Sequence, residues 1–294
     1  MALSSDLLQH LAKTSGQTLR NPRVSSVGGG DINTAYRLQA EGSDWFIKTN
    51  RASLAAMFIA EAAGLQELAA VQEVRVPKVI DHGQCGGQAY LVLEYLALSG
   101  LRGNSASLFG AQLARLHRKR QPYFGWSIDN TLGSTPQHNQ RHDDWVSFWQ
   151  QQRLGKQLAF AADNGYTGSL QRKGEKLMEN IPAFFRDYRP HPSLLHGDLW
   201  GGNASADHDG NPVMYDPACY YGDREADIAM TELFGGFGAD FYAAYQAEYA
   251  LDADYKSRKT LYNLYHILNH LNLFGGGYKH QAETMIDQLL AEIR

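Results

Sequence analysis

The sequence predicts an α+β fold of two lobes, a small β-rich lobe over residues 1–97 and a larger, mainly helical lobe over residues 98–294. The first observation is a set of early segments, "RVSSV", "TAYRLQA" and "DWFIKT", in which apolar and polar residues alternate with the period of a strand. The second is the Ala- and Leu-rich stretch "LAAMFIAEAAGLQELAAV", whose apolar residues recur at helical spacing. The third is a change after Leu98, where helical periodicity replaces strand alternation.

The remaining elements follow in chain order. A short amphipathic helix, "LLQHLAK", precedes the strands, and "PKVIDHG" and "AYLVLEYL" predict two more strands around the turn "QCGGQ". In the second lobe "SASLFGAQLARLHRKR" predicts a helix, and its basic end, His117 to Arg120, is interpreted as a solvated C-terminus favoured by the helix dipole. "DDWVSFWQQQRLGKQLAFAADN" predicts a long helix, "SLLHG" and "PVMYD" predict short strands, and residues 223–294 predict further helices.

The composition disfavours several classes of protein. The 294 residues carry a formal net charge of −4, whereas a protein that coats nucleic acid needs a basic surface. Cys85 and Cys219 form no disulfide framework and lack metal-type spacing, so a cytoplasmic location is expected. The N-terminus has no apolar signal core, and no run approaches the roughly 18 apolar residues of a membrane span. We expect a monomer with no nucleic-acid partner and no membrane association.

The stretch "SLLHGDLWGGN" carries the strongest chemical signal in the chain. An Asp on a loop that leaves a strand can accept a proton from a substrate hydroxyl, and an Asn five residues later can offer its carbonyl oxygen to Mg²⁺, as in the catalytic loop of kinases. Asp198 and Asn203 have this spacing, although Gly197 stands where protein kinases carry Arg. Asp216, at the end of "PVMYD", supplies a second oxygen ligand for the metal. Each residue alone is more often structural; their joint order favours phosphate chemistry.

A charged pair in the first lobe fits the same chemistry. Lys48 ends the apolar segment "DWFIK", and Glu61 lies on an otherwise apolar helix face, where a carboxylate needs a cationic partner. In kinases a strand Lys binds the α- and β-phosphates of ATP and pairs with a Glu on the following helix. We therefore predict that Lys48 and Glu61 form this pair rather than two unrelated surface charges.

Two further segments of the first lobe are candidate nucleotide contacts. Gly28, Gly29 and Gly30 in "VGGGDINTAY" allow the backbone to approach a phosphate closely, and a strand–loop–strand setting suits a kinase-type flap. At the end of the lobe, the backbone groups of "LVLEYL", including those of Glu94, Tyr95 and Leu96, are expected to meet the adenine edge. "LVLEYL" is expected to be an ordinary buried strand whether or not its backbone also contacts adenine.

Several segments together resemble the fructosamine kinase (ketosamine-3-kinase) family over nearly the whole chain. They are "GGGDINTAY", "FGWSIDNTLGSTPQHN", "LLHGDLWGGN", "YDPACYYGDREADIAM" and "ELFGGF". The resemblance implies a protein-kinase-like bilobal fold and ATP-dependent phosphorylation of the 3-hydroxyl of a ketosamine. The phosphorylated product breaks down to release the amine, so the implied role is repair of glycated small amines or proteins.

The resemblance also implies a role for each matching residue. Asp198 becomes the base, Asn203 and Asp216 the Mg²⁺ ligands, Lys48 held by Glu61 the phosphate contact, and the glycine run the cover of the ATP. Candidate sugar or amine contacts are Trp200, Asp129, Asn130 and Thr131. Asp223 and Asp227, in "GDREAD", are expected to support the catalytic loop.

Two alternatives stay open on the sequence. One is a kinase for an aminoglycoside, a choline-like compound or another small hydroxylated amine, which shares the skeleton of the site. The other is a non-catalytic nucleotide-binding protein with the same fold. The presence of all five site residues, Lys48, Glu61, Asp198, Asn203 and Asp216, speaks against the second alternative.

Overall fold

A computed structural model describes residues 3–16, 19–28 and 32–293 of the chain. The first part is an antiparallel sheet of five strands in the order β1-β2-β3-β5-β4, with one helix before it and one inserted between its third and fourth strands. In chain order the elements are α1 (Ser5–Thr14), β1 (Arg23–Val27), β2 (Thr34–Ala40), β3 (Ser43–Arg51), α2 (Ala55–Val71), β4 (Val79–Cys85) and β5 (Gln88–Glu94). The predicted succession of strands and helix is confirmed.

Helix α2 is apolar around most of its circumference. The segment Ala52–Val71 is long and apolar enough to cross a membrane by length and composition, with a mean hydropathy of 1.5. The expectation that no run reaches this level is therefore wrong, because many small alanines add up to a high hydropathy. In the fold this segment serves as a core helix: Phe58, Leu65 and Leu68 are fully or almost fully buried, as expected for a helix without a polar face.

The second part is mainly helical, with short antiparallel strand pairs between the helices. Its elements are α3 (Asn104–Leu116), β6 (Asn130–Leu132), β7 (Thr135–Gln137), α4 (Trp145–Phe148), α5 (Gly155–Asp163), α6 (Ser169–Asn180), β8 (Ser193–Leu195), β9 (Ala204–Ala206), β10 (Pro212–Met214), β11 (Tyr220–Gly222), α7 (Arg224–Leu233), α8 (Ala239–Glu248), α9 (Tyr255–Phe274) and α10 (Lys279–Glu292). A π-helical segment, Trp149–Leu154, joins α4 to α5, so the predicted long helix is continuous. The strand pairs are β6 with β7, β8 with β11, and β9 with β10.

The two parts of the chain share one apolar core. The face of the sheet under α2 is continuous with the core of the helical part, whereas the opposite face packs against α1 through Leu7 and Leu11. Polar contacts also cross between the parts: Met214 N–H donates to the Arg75 carbonyl at 2.9 Å, and Arg75 pairs with Asp207 at 2.6 Å. The boundary placed after residue 97 remains a prediction.

Candidate active site

The loop after β8 brings Asp198 and Asn203 together. Asn203 Nδ2 donates to the Asp198 carbonyl at 2.9 Å and to its carboxylate at 3.1 Å, so the five-residue spacing closes a compact turn. Gly197 has a φ of +82°, in the left-handed region that favours glycine, which explains why glycine stands here where protein kinases carry Arg. A Cβ at this position would lie 2.1 Å from the Ala218 carbonyl oxygen, which leaves no room for a side chain.

Asp227 fixes the start of this loop through hydrogen bonds. Its carboxylate accepts the backbone N–H groups of His196 at 2.7 Å and Gly197 at 2.9 Å, which confirms the predicted support of the catalytic loop. The pKa of Asp227 is lowered even though burial acts to raise it, because the bonds from His117 and the backbone favour the anion. A charged acceptor here therefore stabilises the loop in one conformation.

The expectations for His117 and Asp223 need correction. His117 is fully buried, with Nε2 3.2 Å from Asp227 Oδ2 and Nδ1 2.8 Å from the Tyr245 hydroxyl, so it is no part of a solvated helix end. Burial lowers its pKa, which favours the neutral ring. Asp223 caps α7 and accepts the Tyr262 hydroxyl, but it does not contact the catalytic loop directly. Sequence periodicity missed His117 because its partners lie on distant helices.

The environment of Asp198 favours proton acceptance near neutral pH. Burial, and after it the negative charge of Asp216, raise the pKa of this carboxyl to about 7, against the opposing effect of the hydrogen bond from Asn203. A general base is most effective when its pKa lies near the working pH. A carboxyl group with a pKa near neutrality therefore lies on a loop that hydrogen bonds from Asn203 and to Asp227 hold in place.

Lys48 joins the two parts of the site. Its ammonium is 2.6 Å from Glu61 Oε1 on α2, which confirms the predicted ion pair, and it also contacts Asp216 Oδ1. Burial acts to lower the pKa of Lys48, but the two carboxylates raise it overall, so the ammonium stays charged. Burial likewise raises the pKa of Glu61, to about 7, against the opposing effect of Lys48. One buried cation therefore links the sheet, helix α2 and the strand-end Asp216.

Asn203 and Asp216 fit a divalent metal ion. Both offer hard oxygen ligands, which Mg²⁺ prefers. Asn203 uses its amide N–H groups within the loop, and its Oδ1 accepts no hydrogen bond from residues 3–16, 19–28 or 32–293. The Asp216 side chain is 45% exposed and only Oδ1 is bonded to Lys48, so a carboxylate oxygen is available. The donor set is that of a kinase metal site.

The predicted nucleotide contacts have mixed outcomes. Gly28 directly follows β1 and is exposed, whereas Gly29 and Gly30 lie outside the described residues, so the predicted flap remains a prediction. At the other segment the N–H groups of Glu94 and Tyr95 are already donated, to the carbonyls of Lys78 and Asp44 at 2.9 and 3.0 Å. Their use as adenine donors is therefore wrong, whereas contact of adenine with the carbonyl groups of Glu94 and Tyr95 remains a prediction. Leu96 N–H makes no hydrogen bond within the described part of the chain and remains a candidate.

The predicted substrate contacts separate into two groups. Asn130 is 8% exposed, and its side-chain N–H donates to the Cys219 carbonyl at 2.8 Å, so the prediction that it contacts substrate is wrong. Asp129 is exposed, with its carboxylate bonded to His138 and to the N–H of Asn139, and Thr131 is half-buried on β6. Asp129, Thr131 and Trp200 remain predictions as substrate contacts.

Trp200 begins a line of aromatic side chains that the motif did not reveal. Its ring lies 6.3 Å from that of Phe234, which lies 4.9 Å from the His270 ring. The rings of Phe274 and Tyr278 also lie next to the His270 ring, at 5.5 and 5.2 Å. Trp200, Phe234 and Phe274 are 37–56% exposed, which is unusual for such large rings. We call these five residues the aromatic line.

His266, one helical turn before His270, is expected to make the stability of the protein depend on pH. Burial lowers its pKa to about 3 in the folded chain, so the unfolded chain binds a proton at higher pH than the folded chain does. Stability is therefore lost as the pH falls below the unfolded value. From about pH 6.5 to about pH 5, wild type should lose about 2 kcal/mol relative to His266→Gln. Urea unfolding at each pH checks this; His280→Gln, at an exposed position, is the control. Parallel pH profiles for wild type and His266→Gln would contradict it.

Comparison with known proteins decides the family. A family model described as fructosamine kinase matches residues 3–292. The chain belongs to the fructosamine kinase family. A candidate ketoamine kinase of Synechocystis is 46% identical over 97% of this chain and 96% of the relative. A protein-ribulosamine 3-kinase of Arabidopsis thaliana is 41% identical over 100% of this chain and 90% of the relative. Members of the fructosamine kinase family are phosphotransferases that act on a hydroxyl group, and so is this chain.

Solved structures agree with the family and the fold. A candidate fructosamine-3-kinase from Haemophilus somnus has a TM-score of 0.88 at 30% identity, covering 97% of both chains. An aminoglycoside phosphotransferase has a TM-score of 0.65 at 12% identity, which shows the fold alone. The predicted protein-kinase-like bilobal α+β fold is thereby confirmed.

Proposed function

We propose that this member of the fructosamine kinase family transfers the γ-phosphoryl group of ATP to the 3-hydroxyl of a sugar ketoamine. The observation that carries the proposal is the convergence of Asp198 and Asn203 on one loop with the Lys48–Glu61 pair, through the contact of Lys48 with Asp216. The Arabidopsis relative, named a protein-ribulosamine 3-kinase, supports the ketosamine acceptor and the 3-position.

Each residue contributes by position or by charge. Asp198 orients the acceptor hydroxyl and takes its proton as the oxygen attacks the γ-phosphorus, and ADP leaves from the opposite side. Lys48 offsets negative charge on the phosphates, and Glu61 keeps the ammonium in place. Asn203 and Asp216 would hold Mg²⁺, which when bound neutralises charge on the transferring group. Most of the acceleration then comes from positioning.

The product explains a repair role. A phosphate on C3 is next to the C2 ketone, so loss of a proton from C1 drives electrons toward C3 and expels inorganic phosphate. Water then adds to the resulting imine and releases the amine, which leaves the sugar as a dicarbonyl compound. The reaction would free either a small amine or a lysine side chain from its sugar. We place the enzyme in the cytoplasm, in line with two free cysteines, and we propose that it is a monomer.

The aromatic line suits the amine side of such an acceptor. It begins at Trp200, two residues after the proposed base, and through Phe234 it reaches His270 on α9. A protonated secondary amine is attracted to the faces of aromatic rings, and its alkyl chain packs on them. The sugar hydroxyls would then lie nearest Asp198.

A panel of acceptors tests the proposed function. With Mg·ATP we expect turnover of fructosyl-lysine and ribulosyl-lysine, ³¹P NMR showing phosphate on O3, and no turnover of kanamycin or choline. The Asp198→Ala variant supplies the blank for ATP hydrolysis. Transfer to kanamycin or choline alone would overturn the ketosamine assignment. A thermal shift with Mg·ATP but no turnover on any acceptor would instead favour a nucleotide-binding protein without catalysis.

A further inference from the structure

Two buried side-chain amides hold the chain that follows Asp216. Asn130 on β6 donates Nδ2 to the Cys219 carbonyl at 2.8 Å, and Gln137 on β7 donates Nε2 to the Ala218 carbonyl at 3.0 Å. Asn130 is 8% exposed and Gln137 is 1% exposed, so neither amide exchanges these partners readily with water. The carbonyls of Ala218 and Cys219 thus each accept a hydrogen bond from a side chain of the β6–β7 hairpin.

The amides are themselves fixed by further hydrogen bonds. Gln137 Nε2 also donates to Asn130 Oδ1 at 2.8 Å, and the Tyr265 hydroxyl donates to Gln137 Oε1 at 2.8 Å. Asn139 Nδ2 donates to Asn130 Oδ1 at 3.1 Å, and Arg153 Nη2 donates to Asn139 Oδ1 at 2.7 Å. A buried network in which the members satisfy one another is rigid and has one favoured arrangement.

The segment that these amides hold needs such support. Asp216 has a φ of +57°, in the left-handed region that costs a residue other than glycine free energy unless its surroundings impose it. Ala218 also connects to the catalytic loop, because its N–H donates to the His196 carbonyl at 2.9 Å and its oxygen lies against Gly197. A shift of residues 218 and 219 would therefore move Asp216 relative to Asp198.

We infer that Asn130 and Gln137 are positioning residues for the Asp216 carboxylate, and so act on metal binding without contacting metal or substrate. Their hydrogen bonds to the carbonyls of residues 218 and 219 keep Asp216 in its left-handed conformation, with a carboxylate oxygen directed to the place of the ion. The inference rests on the proposed metal role of Asp216, but it does not depend on which acceptor is phosphorylated.

The test is the affinity for Mn²⁺ in the presence of ADP, measured from the loss of the free-ion EPR signal. Gln137→Met keeps the volume and removes both amide donors, and we expect it to bind Mn²⁺ about tenfold more weakly, since the segment after Asp216 loses the hydrogen bond to its Ala218 carbonyl. Tyr265→Phe removes a single hydroxyl at nearly constant shape and should weaken binding less, in the same direction. Gln150→Met is the matched control, because Gln150 donates to the Met178 carbonyl away from the site.

The kinetic pattern separates positioning from substrate contact and from general destabilisation. For Gln137→Met we expect a higher Mg²⁺ requirement and a lower kcat at limiting Mg²⁺, with the acceptor KM unchanged. Unchanged Mn²⁺ affinity in the folded variants would overturn the inference, as would a raised acceptor KM with normal metal binding. If Gln137→Met does not fold, Tyr265→Phe decides by the same readings. Failure of wild type to phosphorylate ketosamines would end the proposed function but leave the Mn²⁺ comparison interpretable.

Discussion

Replacing Asp198 with alanine is expected to lower kcat roughly 10²- to 10⁴-fold, the contribution of a positioned general base, while nucleotide affinity stays nearly unchanged. The side chain removed is the one that accepts the acceptor proton, and its pKa of about 7 suits that task. The nucleotide contacts proposed for Lys48 and Asp216 remain. A coupled assay of ADP release gives kcat, and calorimetry with ADP and Mg²⁺ gives the affinity.

A carboxylate on the surface serves as the control for Asp198→Ala. The side chain of Asp143 is 84% exposed, and we expect Asp143→Ala to behave as wild type in both measurements. Retained turnover in Asp198→Ala would contradict the assignment of the base. A large loss of nucleotide affinity in the same variant would instead show that Asp198 acts mainly on the bound nucleotide.

Replacing Lys48 with methionine is expected to lower kcat roughly 10²- to 10³-fold, as loss of one preorganised cationic donor does, and to raise the KM for ATP. The ammonium is the charge that links Glu61 and Asp216, so its removal leaves two carboxylates near the phosphates. The fold should survive, because the buried Glu61 carboxyl already has a raised pKa and can become neutral when unpaired. Steady-state kinetics and thermal unfolding check both statements.

A double-mutant cycle shows whether Glu61 acts through Lys48. Glu61→Gln should lower kcat in the wild-type background but have little further effect in Lys48→Met, because the partner that it positions is already absent. Lys173→Met is the control: it breaks a 2.6 Å ion pair with Asp287 on the surface and should leave kinetics unchanged. Additive losses from the Lys48 and Glu61 variants would contradict the linked roles.

The features that sequence reasoning predicted correctly are those set by nearby residues. Strand alternation and helical periodicity depend on neighbours within one element, which is why β1 to β5 and α2 were predictable. The Asp198–Asn203 turn is also local, since five residues suffice to close it. The Lys48–Glu61 pair follows from a strand that leads directly into a helix, with the two positions 13 apart in the chain.

By itself the sequence determined the order of the elements, the catalytic loop and the resemblance to the fructosamine kinase family, because each is encoded in short, contiguous patterns. Tertiary structure alone decided that His117 bonds Asp227, which lies 110 residues away, and that Asn130 holds Cys219 instead of a substrate. It also decided that the N–H groups of Glu94 and Tyr95 are already donated. The physical reason is that a polar group becomes satisfied or available only when distant segments fold against it, and no local pattern specifies those partners.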